Sequence, residues 1–362
     1  MSDNHVWAAA MSAVPRHLFV PRRAWADRLI DQPEHLIDRD TDPAAWWKAV
    51  YSNTAIITQR GDGDVADTTS PPTSSLPCPR AALELLELLE VVDGVRVLEI
   101  GTGTGWITAL LSRRLGDDHV VTVENDPQVA TAAAAALAAA GQCPTVVTGE
   151  GALGHDPRAP YDRLLATCGV TDVPYAWVQQ TRPGGLIVAP WMSADGQWRD
   201  LLQLHVRHGG TAIGRFCGAT KTGMPRAQQP QDWPPEGPTV TSSTSVDPRR
   251  VSSKGGFRLF LAMAVPDLVI VSAGWEPLDG GAVWALRLGT ADQDCWALAC
   301  VWPGDLVEVY QGGGRRLWEE LERVYAEWVE AGEPGRVRFR MIVGPGGQQI
   351  RLEPDVREWT VQ

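Results

Sequence analysis

Residues 97–105 read VLEIGTGTG. A short apolar run containing one acidic residue meets a turn with glycine at 101, 103 and 105, and the chain then continues as the helix-type segment 106–115. Few architectures carry that order. A strand that passes through a tight glycine turn into a helix belongs to a parallel sheet, and glycines collect where the backbone turns with positive φ or lies against a ligand. The sequence downstream repeats the alternation. VVTVE at 120–124 reads as a second strand, Asp126 and Pro127 as the cap and first residue of a helix through the alanine-rich run 130–140, and further strands are expected at 145–148, 161–167 and 186–190. Leucines at 83, 85, 86, 88 and 89 with glutamates between them place an amphipathic helix ahead of the glycine turn. The expected fold class is therefore α/β, a doubly wound, mainly parallel Rossmann-like sheet.

The glycine spacing narrows the ligand. A dinucleotide fold uses G-x-G-x-x-G to seat a pyrophosphate on a helix N-terminus. Here the spacing is G-x-G-x-G, and Glu99 stands two positions before the first glycine. That negative charge opposes a pyrophosphate and suits a ligand with an ammonium group, such as S-adenosylmethionine. Glu99, Gly101, Thr102, Gly103, Thr104 and Gly105 are the first group of expected cofactor-binding residues. The second strand ends at Glu124, followed by Asn125, where a carboxylate accepts both hydroxyls of a ribose. The third strand runs into Gly149, Glu150 and Gly151, with a polar side chain placed for an adenine edge.

Charge and composition exclude several alternatives. Against 44 Asp and Glu there are 32 Lys and Arg, a formal net charge of −12, so a nucleic-acid partner is not expected. No apolar run is long enough to cross a bilayer, and the opening MSDNHVWAAAM lacks the basic start of a signal peptide; the expected location is the cytoplasm. The six cysteines show no CxxC pair, and His205 and His208 are the only histidines near metal-like spacing, so no metal is expected. At 362 residues the chain is long for one domain. The expected division is a lead-in and acceptor segment (1–78), a ligand-binding domain (79–225), a linker rich in Pro, Ser, Thr and Gln (226–256) and a smaller α+β domain (257–362), with an exposed loop over 61–75. Trp46, Trp47 and Tyr51 line a peptide groove or pack as core; Arg16, Arg22 and Arg23 attract a carboxylate or form a solvated face.

Seven segments then point one way: VPRHLFVP (14–21), Ser75-Leu-Pro77 before the leucine-rich helix, VLEIGTGTGWITALLSRRLG (97–116), VTVE (121–124), GEG (149–151), APYDRLLATCGVTDVP (159–174) and the Pro-Gly-Gly turn (183–185). Over roughly residues 10–220 the chain resembles the protein-L-isoaspartate O-methyltransferase family. The resemblance implies a class I methyltransferase sheet, S-adenosylmethionine as methyl donor and a peptide carboxylate as acceptor. It also implies a Thr-x-Ser-x-Pro active segment, matched by Thr73 and Ser75 as the catalytic-side residues. The chain departs from that family in its longer 35–72 segment, in Leu76 after the serine, in GEG for the commoner GDG, and in everything beyond 230. Those departures resemble long actinobacterial relatives associated with ribosomally made, modified peptides (lanthipeptides, lasso peptides and ω-ester-linked peptides). The leading expectation is thus methylation of an aspartate side chain in a modified precursor peptide, the ester then closing to an aspartimide or opening to isoaspartate. The alternative is general repair of L-isoaspartyl proteins. A non-catalytic binding module would need a damaged donor motif, and none is seen; a small-molecule acceptor is opposed by the Ser75 segment.

Overall fold

The computed structural model describes residues 4–27, 33–61, 63, 70–192, 199–220, 239–278, 281–290, 292 and 294–353. Helix α1 (Asn4–Ala13) is followed by a 3-10 turn at Arg16–Phe19, strands β1 (Arg23–Ala26) and β2 (His35–Asp38), helix α2 (Pro43–Val50), and strands β3 (Ile56–Arg60) and β4 (Pro72–Leu76). These strands form an antiparallel sheet in the order β2-β1-β3-β4. The loop expected over 61–75 is therefore a strand from Pro72 onward, while 62 and 64–69 lie outside the described residues. The reason is visible in the burial pattern. Ser74 and Leu76 are buried and Thr73 and Ser75 are not, a period-two alternation carried partly by small polar residues.

Next come α3 (Pro79–Leu88), β5 (Val97–Ile100), α4 (Trp106–Leu115), β6 (Val120–Glu124), α5 (Pro127–Ala139), β7 (Thr145–Thr148), β8 (Tyr161–Ala166), α6 (Tyr175–Gln180), β9 (Thr181–Met192), β10 (Arg199–Arg207) and β11 (Thr211–Thr220). Local chemistry explains the boundaries. Pro79 opens α3, whose inner face buries Ala82, Leu85 and Leu86. The Asp126 carboxylate caps α5 by accepting the N–H groups of Gln128 and Val129, with Pro127 in the first helical position. The remaining elements are β12 (Thr239–Ser243), α7 (Pro248–Ser253), α8 (Gly255–Ala264), β13 (Leu268–Leu278), β14 (Gly281–Thr290), β15 (Trp296–Val301), β16 (Val307–Gly312), α9 (Leu317–Glu330), β17 (Phe339–Gly344) and β18 (Gly347–Leu352).

The central sheet has nine strands in the order β18-β17-β11-β10-β9-β8-β5-β6-β7. From β9 to β7 the strands are parallel, and from β9 to β18 they are antiparallel. The burial of every residue of β5 and β6 matches a sheet covered on both faces. A separate five-stranded antiparallel sheet, β12-β16-β15-β14-β13, carries most of the C-terminal region.

The boundary expected at 257 does not divide the core. One apolar cluster runs from Ile100 and Val123 in the central sheet, through Trp177 and Phe216, to Phe257, Leu286, Trp318 and Trp328. Residues 339–352 leave the smaller sheet altogether, because β17 pairs with β11 from Ala212↔Val343 to Arg215↔Arg340. Of the expected linker, 226–238 lies outside the described residues, and the rest holds β12 and α7. Helix α9 buries Leu317, Trp318, Leu321, Val324 and Trp328, a stripe at helical spacing.

Strand β5 has β6 on one side and β8 on the other, so the order of connection reverses beside it. In an open α/β sheet the crevice beyond the carboxyl ends at such a point is where ligands bind.

Candidate functional site

A cavity of about 450 Å³ occupies that crevice. Its floor is the ends of β5 and β6 with the turns that follow β7 and β8; β4 and the turn Asn53–Ala55 form the opposite wall. The glycine turn is shaped for close approach. Gly101 has φ +88°, and a Cβ there would stand 2.8 Å from Thr167 Oγ1. Gly103 presents its N–H to the Glu124 carboxylate at 2.9 Å and lies against β4, where its Cβ would be 3.8 Å from the Ser75 carbonyl oxygen. The glycine turn and β4 therefore approach each other across the cavity.

Glu99 is fully buried on β5 and still reaches the cavity wall. Its Oε2 accepts the Thr108 hydroxyl at 2.5 Å, and its Oε1 is buried with no hydrogen-bond partner. Burial pushes its pKa up to about 7, and the neighbouring Thr108 and Thr122 hydroxyls offset only part of that. Glu124 closes β6. One of its oxygens takes the Gly103 N–H and the other the Asp126 N–H at 3.1 Å, leaving one lone pair on each for further donors. Glu150 is exposed at the rim and accepts the Ala152 N–H at 3.3 Å. Thr104, Asn125 and Gly151 also line the wall. Thr102 lines it too, but its hydroxyl is engaged with Thr122 at 2.7 Å in the buried layer and pins the turn to β6.

Two expected ligand residues stand elsewhere. Gly105 is absent from the wall and packs on α5, with a Cβ position 3.4 Å from Ala133 and Leu137. Gly149 is also off the wall, its N–H bonded to the Glu124 carbonyl at 2.9 Å. The wall includes residues the sequence did not single out for binding: Asp27, Asn53, Gln59, Asp126, Cys168 and Trp177. Asp126 carried a capping signal that masked its second position at the rim; Gln59 sits in a short polar stretch with no pattern to flag it.

Arg16 does not face a peptide. It is buried, and its guanidinium donates to the carbonyls of Val50, Ser52, Thr54 and Pro77 while lying 5.3 Å over the Trp106 ring. Desolvation lowers its pKa to about 10. It bolts the Asn53–Ala55 turn to the end of β4. Arg16→Ala is expected to lower stability by about 3 kcal/mol in urea unfolding, because it orphans those carbonyls, and Arg16→Lys is expected to recover only part. Arg22 pairs at the surface with Asp40, as a solvated face would. Trp46 is core, its indole N–H on the Pro21 carbonyl. Trp47 and Tyr51 are 37% and 56% exposed and stack at 5.9 Å, with Arg39 over Trp47 and the His17 ring bonded to the Tyr51 hydroxyl.

Fold and site together define a class I methyltransferase. The cavity is lined by Asp27, Glu99, Glu124, Asp126 and Glu150 and by no Lys or Arg among the described residues, which suits a ligand bearing a sulfonium and an ammonium. The orphaned Glu99 oxygen and the spare lone pairs of Glu124 fit the ammonium and the ribose of S-adenosylmethionine. A family model described as Protein-L-isoaspartate(D-aspartate) O-methyltransferase matches residues 35–215. The protein-L-isoaspartate O-methyltransferase of Thermococcus onnurineus is 35% identical over 159 residues, 41% of this chain and 71% of that one. The Methanopyrus kandleri enzyme of the same name is 32% identical over 226 residues, covering 58% and 83%. A solved structure named protein-L-isoaspartate O-methyltransferase superimposes with a TM-score of 0.54 at 18% identity, covering 97% of this chain and 95% of that chain. The chain belongs to the protein-L-isoaspartate O-methyltransferase family and is a carboxyl methyltransferase dependent on S-adenosylmethionine.

Proposed function

We propose that this protein methylates the free α-carboxylate of L-isoaspartyl residues in peptides and proteins. The observation that supports the reading best is the approach of the Ser75 strand to the Gly103 turn, which sets an acceptor-binding segment beside the donor site. The family match adds to it.

Little acid–base machinery is needed. A carboxylate has an ordinary pKa near 4 and is already a nucleophile at neutral pH. S-adenosylmethionine supplies an electrophilic methyl group on a sulfonium. What remains for the chain is alignment, worth up to ~7–11 kcal/mol when ideal. In this reading the Ser75 hydroxyl, half-buried at the wall, holds one acceptor oxygen and leaves the other free to attack. Thr73 plays a supporting part, because its hydroxyl is directed to Gln59 Oε1 at 2.9 Å and the Gly61 carbonyl at 2.8 Å. Glu99 receives the donor's ammonium and Glu124 its ribose hydroxyls. The product ester is attacked by the next backbone nitrogen, methanol leaves, and a five-membered imide forms.

The second reading is aspartate methylation in a modified precursor peptide. Two features that suggested it lose weight. Leu76 is fully buried and faces core, so its departure from a polar residue says nothing of the acceptor. The long C-terminal region has a structural counterpart in a solved chain of the family's name. Its remaining support is the exposed Trp47–Tyr51 stack just before the Asn53 wall.

The test is methyl transfer to a linear isoaspartyl peptide and to its aspartyl twin, read by mass spectrometry, with S-adenosylhomocysteine binding confirmed in the same sample. Methylation of the isoaspartyl peptide alone is expected. Ser75→Ala is expected to cut kcat/KM for that peptide roughly tenfold to a hundredfold with donor affinity retained. A donor-competent protein that methylates neither peptide would overturn the repair reading in favour of a dedicated peptide.

A further inference from the structure

The geometry points to Gln59 as a positioning residue that ties the acceptor strand to the donor site, an inference that rests on the carboxyl-transfer reading above. Gln59 lies on β3, on the cavity wall, at a place where the β3–β4 pairing is irregular. Register shifts fall on both sides of it, between Ile57 and Gln59 and between Gln59 and Arg60. Bulges of this kind beside a site re-aim one side chain.

Here the re-aimed amide uses both of its ends. Its Nε2 donates to Asp126 Oδ2 at 3.0 Å, and its Oε1 lies 2.9 Å from the Thr73 hydroxyl, whose one proton it shares with the Gly61 carbonyl at 2.8 Å. A carboxamide can donate to a carboxylate and accept from a hydroxyl at once, whereas an ionised carboxylate could do only the second. Asp126 in turn gives its other oxygen to the start of α5 and its N–H to Glu124, and Glu124 holds the Gly103 N–H. An unbroken series of hydrogen bonds therefore runs from the glycine turn to Thr73, two residues from Ser75. Gln59 is the single side chain in that series that spans from the donor platform to β4.

If the series positions β4, donor occupancy at Glu124 should quiet the strand through Gln59. Amide hydrogen exchange of residues 73–76 reads this without any peptide. In the native protein S-adenosylhomocysteine is expected to slow that exchange. In Gln59→Glu two carboxylates meet and the bridge breaks, so the slowing is expected to vanish. In Gln59→Glu with Asp126→Asn the new amide donates back while its oxygen still caps α5, and the slowing is expected to return.

Steady-state kinetics on the isoaspartyl peptide provide the second readout. Gln59→Glu is expected to lose roughly a hundredfold in kcat/KM while S-adenosylhomocysteine affinity stays within about threefold, and the paired variant recovers most of the loss. Thermal melts of each variant check that it is folded, and Thr73→Val breaks the other half of the bridge should Gln59→Glu not fold. The inference is overturned if S-adenosylhomocysteine leaves the native strand unprotected, if Gln59→Glu keeps the protection, or if donor affinity falls as far as kcat/KM. A native protein that shows the protection yet methylates no isoaspartyl peptide would refute the function reading and leave the positioning role standing.

Discussion

In Glu99→Gln, S-adenosylhomocysteine binding is expected to weaken by roughly a hundredfold or more, while the ligand-free protein melts at a higher temperature at pH 8. The two effects have one cause. Glu99 is buried with one oxygen unpaired, and its pKa is raised from 4.5 to about 7 by desolvation. Between those values the folded chain keeps a proton that the unfolded chain has released, so stability falls with rising pH. The stability linked to this group is fully present below about pH 4.5 and is lost as the pH climbs through about 7, an amount on the order of 3 kcal/mol. Glutamine imitates the neutral form at every pH. The difference in melting temperature between the two proteins should be near zero at pH 4.5 and widen toward pH 8. Parallel profiles would mean that Glu99 is ionised in the empty cavity. Binding reverses the preference, because an ammonium against Oε1 favours the carboxylate. Calorimetry in two buffers of different ionisation heat should therefore show proton release on binding near pH 6.5 in the native protein and none in the variant.

Glu124→Ala is expected to raise the Kd for S-adenosylhomocysteine by roughly two to four orders of magnitude, from the loss of charge-assisted bonds to two hydroxyls at ~1.5–3 kcal/mol each. The native carboxylate also holds the Gly103 and Asp126 N–H groups, so the alanine variant should lose some thermal stability as well. An analogue lacking both ribose hydroxyls separates the two contributions. If Glu124 receives the ribose, the analogue should bind the native protein and Glu124→Ala with nearly equal affinity. A full loss with the analogue as well would assign the effect to collapse of the turn.

The donor half of this site is largely legible in the sequence because its chemistry is local. Glu99 lies within its strand, Glu124 closes the next, and the three glycines and the GEG turn follow theirs, so strand order places them together. Distance was harder to read than identity. Gly105 looks like a ligand residue by spacing, yet the helix it opens turns it toward α5. The acceptor half was less legible. Strand β4 is Pro-Thr-Ser-Ser-Leu, too polar and too short to declare itself, and it is held by a partner strand and by Arg16, more than fifty residues earlier in the chain. Arg16 was itself hidden, since an arginine between Pro15 and His17 reads as surface until the carbonyls around it are known. The C-terminal strands show as strands, but nothing in 339–352 says that they belong to the central sheet rather than to their sequence neighbours. That pairing joins residues more than a hundred positions apart, and period-two alternation carries no address.

The pairing of β17 with β11 has a consequence for how the protein is made. Translation delivers β11 well before its partner, with the whole smaller sheet still to be synthesised in between. Through that interval one long margin of the catalytic sheet presents unpaired N–H and carbonyl groups, the template on which chains aggregate. The β17–β18 hairpin thus acts as a seal applied only after the smaller sheet has been made. Ending the chain after β11 would keep every residue that lines the cavity and expose that margin permanently.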